Sequence, residues 1–223
     1  MVHVDILSTQ EYDKQMHTIS DVRAVHRIAV LASVDIVAAV IPEDLRRPTP
    51  CAGWNLADLL AHMTVQHRGF AAAARGRGAD LGVWQPAAVA DAVAADPAGT
   101  YAVAAADVVE AFAADGVLDA TFMLPELGPG AAFPGALAIG FHFVDYVVHG
   151  WDVARTVGLP FQPRADVVAA ALPLALAVPD GVARAALGGA FGTALAATDA
   201  ASDLDRILSH LGRSPGWAPP ASR

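Results

Sequence analysis

Residues 134–158 read PGALAIGFHFVDYVVHGWDVARTVG, and the four-residue spacing of Asp145 and His149 within them decides how the chain is read. On a helix, side chains four apart lie one above the other, with Cβ atoms about 5–6 Å apart. A carboxylate and an imidazole so placed reach the same ion, and both are ligands for divalent transition metals. Val144, Tyr146, Val147 and Val148 around them are apolar or aromatic, the pattern of an interior helix, where polar groups need partners. Pro134 marks the helix start, and Gly158 with Pro160 beyond it marks the stop.

A third ligand is sought on a second helix. Asn55 is an N-cap with Asp58 three residues on, a variant of the capping box, and LADLLAHMTVQHRGFAAAAR follows until Gly76. His62 lies beside Leu59 and Met63, on or next to the apolar stripe, and is the candidate third ligand. Gln66, one turn further on the same face, is a candidate lining residue, whereas His67, five residues after His62, is expected at the surface. His142 lies about 10 Å along the axis from His149 at about 1.5 Å per residue, too far to share one ion. It is read as a substrate or outer-shell contact, with Tyr146 and Arg155 as further substrate-binding candidates. Asp152 stands in the same tier, and Arg155 equally suits a helix C-terminus. His26 is read as a packed or surface residue, and Cys51 as structural.

A further helix is expected from Ser20 or Asp21 up to Pro42, and another from the Asp96 cap and Pro97 to Gly116. Between them, 76–95 is a linker with a short helix after Pro86. Residues 117–133 are expected to form a small hairpin or a lid. After Pro163 the chain reads as helical but interrupted at Pro173, residues 180–201 carry no assignment, and Ser202 with Asp205 caps a short helix ending at Gly212. The division is an N-terminal arm at 1–19, a helical domain at 20–160 and a C-terminal extension at 161–223.

Composition removes several classes of function. With 223 residues, 55% hydrophobic and 17% charged, the chain has ample material for a core. A formal net charge of -9 with no basic cluster argues against nucleic acid. The longest apolar run, Ile28 to Ile41, carries Asp35 and falls short of the about 20 residues that span a membrane. The single cysteine excludes an internal disulfide framework, and the first residues lack the basic start and apolar run of a signal peptide. A soluble cytoplasmic protein acting on a small molecule is expected. The sequence does not choose between monomer and homodimer.

Three blocks in order, RPTPCAGWNLADLLAHM, DYVVHGWDVARTVG and LDRILSHLGRSPGW, resemble the mycothiol-dependent maleylpyruvate isomerase N-terminal family of the DinB-like superfamily. The resemblance implies an all-α, DinB-like four-helix bundle with one divalent metal held at the positions of His62, Asp145 and His149. It also implies a low-molecular-weight thiol such as mycothiol as cosubstrate. The chain departs from the isomerase in carrying Asp145 where the isomerase type has glutamate, and in replacing its large C-terminal domain with a short extension. Two imidazoles and one carboxylate leave coordination positions open, as in catalytic sites. Zn(II) suits the set, and Ni(II), Mn(II) and Fe(II) also fit it. A thiol-dependent transferase or isomerase leads. A metal-dependent hydrolase, an Fe(II) oxygenase with the same triad and a non-catalytic metal- or ligand-binding protein are the alternatives.

Overall fold

In the computed structural model, residues 21–181, 184, 191–198 and 200–219 are described. The arm expected at 1–19 and the Ser20 cap lie outside them. The first helix, α1 (Arg23–Val37), has no side-chain cap on its N-cap residue Val22; Asp21 instead accepts from the Arg23 backbone at 3.0 Å. It ends ahead of Pro42, which opens a 3-10 turn over Pro42–Arg46. Helix α2 (Leu56–Ala74) starts at the expected box: Asn55 Oδ1 accepts from the Asp58 backbone at 3.0 Å, and Asp58 Oδ2 from the Asn55 backbone at 3.1 Å. A short α3 (Ala90–Ala95) follows the Pro86 turn, and α4 (Pro97–Phe112) starts with Asp96 accepting from the Gly99 backbone. Strands β1 (Thr121–Met123) and β2 (Ala132–Pro134) pair antiparallel with Phe122 opposite Phe133, so the 117–133 region is a hairpin. Helix α5 (Gly135–Val157) then runs to Gly158, which takes the left-handed conformation at φ 76°.

Helices α1, α5, α2 and α4 close a ring in which each packs on the next, the four-helix bundle. Its core has one apolar region around Phe112, Phe122, Phe143 and Trp151 and another around Leu56, Leu59, Leu60 and Met63. Helix α6 (Ala165–Leu176) packs on α1 and α5, and α7 (Asp203–His210), capped by Ser202, packs on α6. The break expected at Pro173 does not occur. Val167, Ala171 and Ala175 form the buried stripe, while Pro173 and Ala169 are exposed, so water can satisfy the Ala169 carbonyl that loses its donor. No helix among the described residues is long and apolar enough to cross a membrane.

Gly69 shows how tightly α2 is held. A Cβ there would sit 2.3 Å from Trp84 Cε3, and Trp84 is itself tied by its indole N–H to the Gly78 carbonyl at 2.9 Å. Helix propensity alone makes Gly69→Ala stabilising by about 1 kcal/mol. Overpacking against an indole fixed at its far end costs about 1–3 kcal/mol and should win. Chemical denaturation is expected to show a destabilised variant, and a raised midpoint would contradict this packing.

Candidate metal centre

Helix α2 supplies His62, and α5 supplies Asp145 and His149; one ligating atom from each lies within 4.8 Å of the other two. The His62 and His149 rings sit edge to face at 5.3 Å between centroids, and Trp54 also packs against His62, at 4.9 Å. His149 is 1% exposed, while His62 is half-buried and the Asp145 side chain is 16% exposed. The cluster therefore has a closed inner end and an outer end that reaches solvent.

The tautomer of His149 follows from its surroundings. Its Nδ1 lies 2.9 Å from Asp152 Oδ2, and an ionised carboxylate only accepts, so Nδ1 carries the hydrogen. Its Nε2 is buried with no hydrogen-bond partner, 3.3 Å from Asp145 Oδ1 but not aligned for a bond. A tetrahedral site with bonds of about 2.0–2.1 Å has ligand atoms about 3.3 Å apart. The buried Nε2 without an aligned hydrogen bond, its spacing from Asp145 and the donor types together fit a divalent ion. They also match the arrangement in which a carboxylate orients a ligating histidine from behind.

Charge shifts follow the same geometry. Burial pushes His149 down, but Asp145 and Asp152 outweigh it, and the imidazole is raised to about 9. Burial and the neighbouring His149 lower His62 to about 4. For Asp145, burial is outweighed by His149, His62 and Arg213, which hold it below the usual carboxylate range.

Behind His149 lies a buried array. Arg213 donates from Nη2 to Asp152 Oδ2 at 3.1 Å and from Nε to both carboxylate oxygens at 3.3 and 3.4 Å. The same Nη2 lies 3.2 Å from Cys51 Sγ. Cys51, His149 and Asp152 would by spacing form a second metal-binding group, but the Arg213 guanidinium already lies against Asp152 and Cys51 as their cation. Burial pushes the Cys51 thiol up to about 11 despite that cation, so it is not an activated nucleophile. Asp152 could be found from its place three residues after His149. Arg213, 61 residues from Asp152, stands in the closing block LDRILSHLGRSPGW, but nothing local in that block points to Asp152.

The other candidates are each held by packing and hydrogen bonds of their own. Gln66 is buried and donates to Glu126 at 2.6 Å, tying α2 to the loop between β1 and β2. His142 is fully buried in a chain of imidazoles: His26 Nε2 lies 2.9 Å from His142 Nδ1, and His142 Nε2 lies 3.2 Å from His67 Nδ1. Tyr146 stacks on both His67 and His142 and donates its hydroxyl to the Met63 carbonyl. Arg155 lies over the Trp151 ring at 5.5 Å and donates to the Pro215 carbonyl at 2.7 Å. His67 is not at the surface as expected but 0% exposed. Helix α2 is covered by both α4 and α5, so its inner face is wider than one apolar stripe, and His67 meets Tyr101 from one and Tyr146 from the other.

Comparison with known proteins gives concordant results. The family model described as Mycothiol maleylpyruvate isomerase N-terminal domain matches residues 26–154, which include His62, Asp145, His149 and Asp152. Two Mycobacterium tuberculosis proteins, "Uncharacterized protein Rv0738" of strain ATCC 25618 / H37Rv and "Uncharacterized protein MT0763" of strain CDC 1551 / Oshkosh, are each 36% identical over 133 residues. Each match takes in 60% of this chain and 65% of the relative, so the chain spans just under two thirds of these curated relatives. The crystal structure of the mycothiol-dependent maleylpyruvate isomerase shares the fold, with a TM-score of 0.56 and 12% identity over 71% of this chain and 68% of that one.

Proposed function

Because the chain belongs to the mycothiol maleylpyruvate isomerase N-terminal domain family, we propose that it is a metal- and thiol-dependent transferase or isomerase acting on a small electrophile. In this reading His62, Asp145 and His149 hold a divalent ion, and mycothiol or a related low-molecular-weight thiol is cosubstrate. The observation that carries it is the buried Nε2 of His149, which makes no aligned hydrogen bond and lies 3.3 Å from Asp145 Oδ1, in a cluster whose other end reaches solvent. Zn(II) suits the donors, and Ni(II), Mn(II) and Fe(II) fit them too.

A bound divalent ion supplies the positive charge that lowers the pKa of a thiol beside it and yields thiolate near neutral pH. The chain's own residues orient and enclose. Asp152 fixes the His149 ring, Asp145 adds the negative charge that a divalent ion requires, and Trp54 packs against His62. Solvent reaches His62 and Asp145, so a thiol can enter on that side and its proton can leave to water. The thiolate sulfur adds to an electrophilic carbon. From an activated alkene, the π electrons move to the conjugated acceptor, the remaining single bond rotates and elimination returns the thiolate with an isomerised product. With a leaving group, the conjugate is retained.

Two measurements test this reading. Metal-replete protein should turn over an activated alkene or related electrophile only when mycothiol is present. Absence of both mycothiol binding by calorimetry and turnover across an electrophile panel would leave a metal- or ligand-binding function in its place. The second measurement uses pH. His149 must lose its extra proton before Nε2 can ligate, whereas His62, at about 4, and the lowered Asp145 are already deprotonated near neutrality. Apparent zinc affinity should therefore rise about tenfold per pH unit between about pH 5 and about pH 9 and then level off. Calorimetry in buffers of different ionisation enthalpy should report about one proton released per ion. A pH-independent affinity would contradict the assignment of His149.

A further inference from the structure

We infer that the C-terminal segment Leu211–Trp217 is a built part of the metal centre, in which Arg213 is a positioning residue that holds His149 through Asp152. This rests on the metal reading above, but it concerns residues outside the 26–154 region that the family model matches.

Local structure fixes Arg213 before any contact is counted. Helix α7 ends in a Schellman motif: Gly212 N–H bonds the Ser209 carbonyl at 3.1 Å, and Arg213 N–H bonds the Leu208 carbonyl at 2.8 Å. Gly212 has φ 78° and lies so close to the Gly192 backbone that a Cβ would stand 2.6 Å from it. No other residue fits both demands without strain. The turn sends the Arg213 side chain into the protein, where it is 3% exposed and lies 5.6 Å over the Phe191 ring. A second tether, Arg155 Nη2 to the Pro215 carbonyl, joins the segment to α5 three residues from Asp152.

Inside, the guanidinium is used on several sides. Nη1 donates to the Leu211 carbonyl at 3.1 Å, and Nε and Nη2 grip Asp152 from one plane. Asp152 is 0% exposed, and among the described residues its carboxylate accepts only from His149 and Arg213. Held by the single His149 N–H alone, its carboxylate could turn about its own bond and take the imidazole with it. The planar fork of arginine removes that freedom, which a lysine ammonium, a point donor, does less well. The geometry thus runs from the Schellman turn to Arg213, to Asp152, to the ring plane of His149 and the direction of its Nε2.

The test uses the full chain and its Arg213→Met and Arg213→Lys variants, titrated with Zn(II) by calorimetry and with Co(II) by visible absorption, well below the unfolding temperature of each. Loss of a partner that orients a ligand costs about 10–100-fold in metal affinity. Arg213→Met should show a loss of that order with an altered Co(II) d–d spectrum, and Arg213→Lys should fall between Met and wild type. If Arg213→Met does not fold, Arg213→Lys, which keeps the buried cation, carries the test alone through its reduced affinity and shifted spectrum. Zinc affinity and Co(II) spectrum indistinguishable from wild type in the folded variants would overturn the inference and leave the metal reading intact. Failure of the wild-type protein to bind zinc would overturn both.

Discussion

His149→Ala is expected to abolish tight zinc binding while leaving the helical circular dichroism of the protein intact. The substitution deletes a ligand itself, so the loss in affinity should exceed the about 10–100-fold that follows removal of a supporting partner. The bundle should survive because its stability comes from apolar packing around residues such as Phe143, Val147 and Trp151, and Asp152 keeps Arg213 as its partner. Inductively coupled plasma analysis after dialysis against zinc, together with far-ultraviolet dichroism, reads both halves. Retention of stoichiometric zinc would remove His149 from the site. Unfolding on simple chelation of the wild-type protein would make the metal structural instead of functional.

His142→Ala should do the reverse, unfolding the protein easily while leaving the ligand set complete. His142 stacks on Tyr146 at 4.2 Å, meets Phe70 and Phe112 edge-on, and bridges His26 and His67. Its removal creates a cavity the size of a buried ring and strips a partner from each of two buried imidazoles. About 3–5 kcal/mol is expected, or a fall in Tm of about 6–20 °C for a chain of this length. A loss below about 1 kcal/mol, the scale of a surface substitution, would show that the chain of imidazoles is not part of the core.

The same three histidines set an acid limit. Burial pushes His26 down to about 3 and holds His67 and His142 well below the ordinary histidine range. Their neutral forms belong to the folded state, so the unfolded chain binds more protons below about pH 6.5. The sign is fixed: this contribution is fully present above that pH and is lost as pH falls, for His26 by about 1.4 kcal/mol per pH unit down to about 3, with His67 and His142 acting in the same direction. Denaturant unfolding measured between pH 7 and pH 4 should show this slope, and a flat profile would contradict neutral burial.

What could be read before the structure was whatever a short stretch of chain determines. The caps at Asn55, Asp96 and Ser202 and the stop at Gly158 depend on neighbours within a few residues, and their backbone hydrogen bonds or conformation are as expected. Asp145 and His149 stand out because one helical turn brings both to one face, and His62 because it borders the apolar stripe of its own helix. Residues whose roles depend on distant partners gave no such signal. The imidazole chain needs α1, α2 and α5 in place, so His67 reads as a surface residue and His26 as a bystander. Arg213 meets Asp152 only after α6, α7 and a glycine turn have carried the chain back across the bundle. Pro173 reads as a break because the sequence does not say which face of α6 is wet.

The central claim is that one divalent ion is held by His62, Asp145 and His149, and the most direct measurement is an anomalous difference map from crystals grown with stoichiometric zinc. The expected result is one strong peak bonded at about 2.0–2.2 Å to a nitrogen of His62, an oxygen of Asp145 and His149 Nε2, with His149 Nδ1 still against Asp152. A peak bonded elsewhere, or no peak among the three side chains, would contradict it.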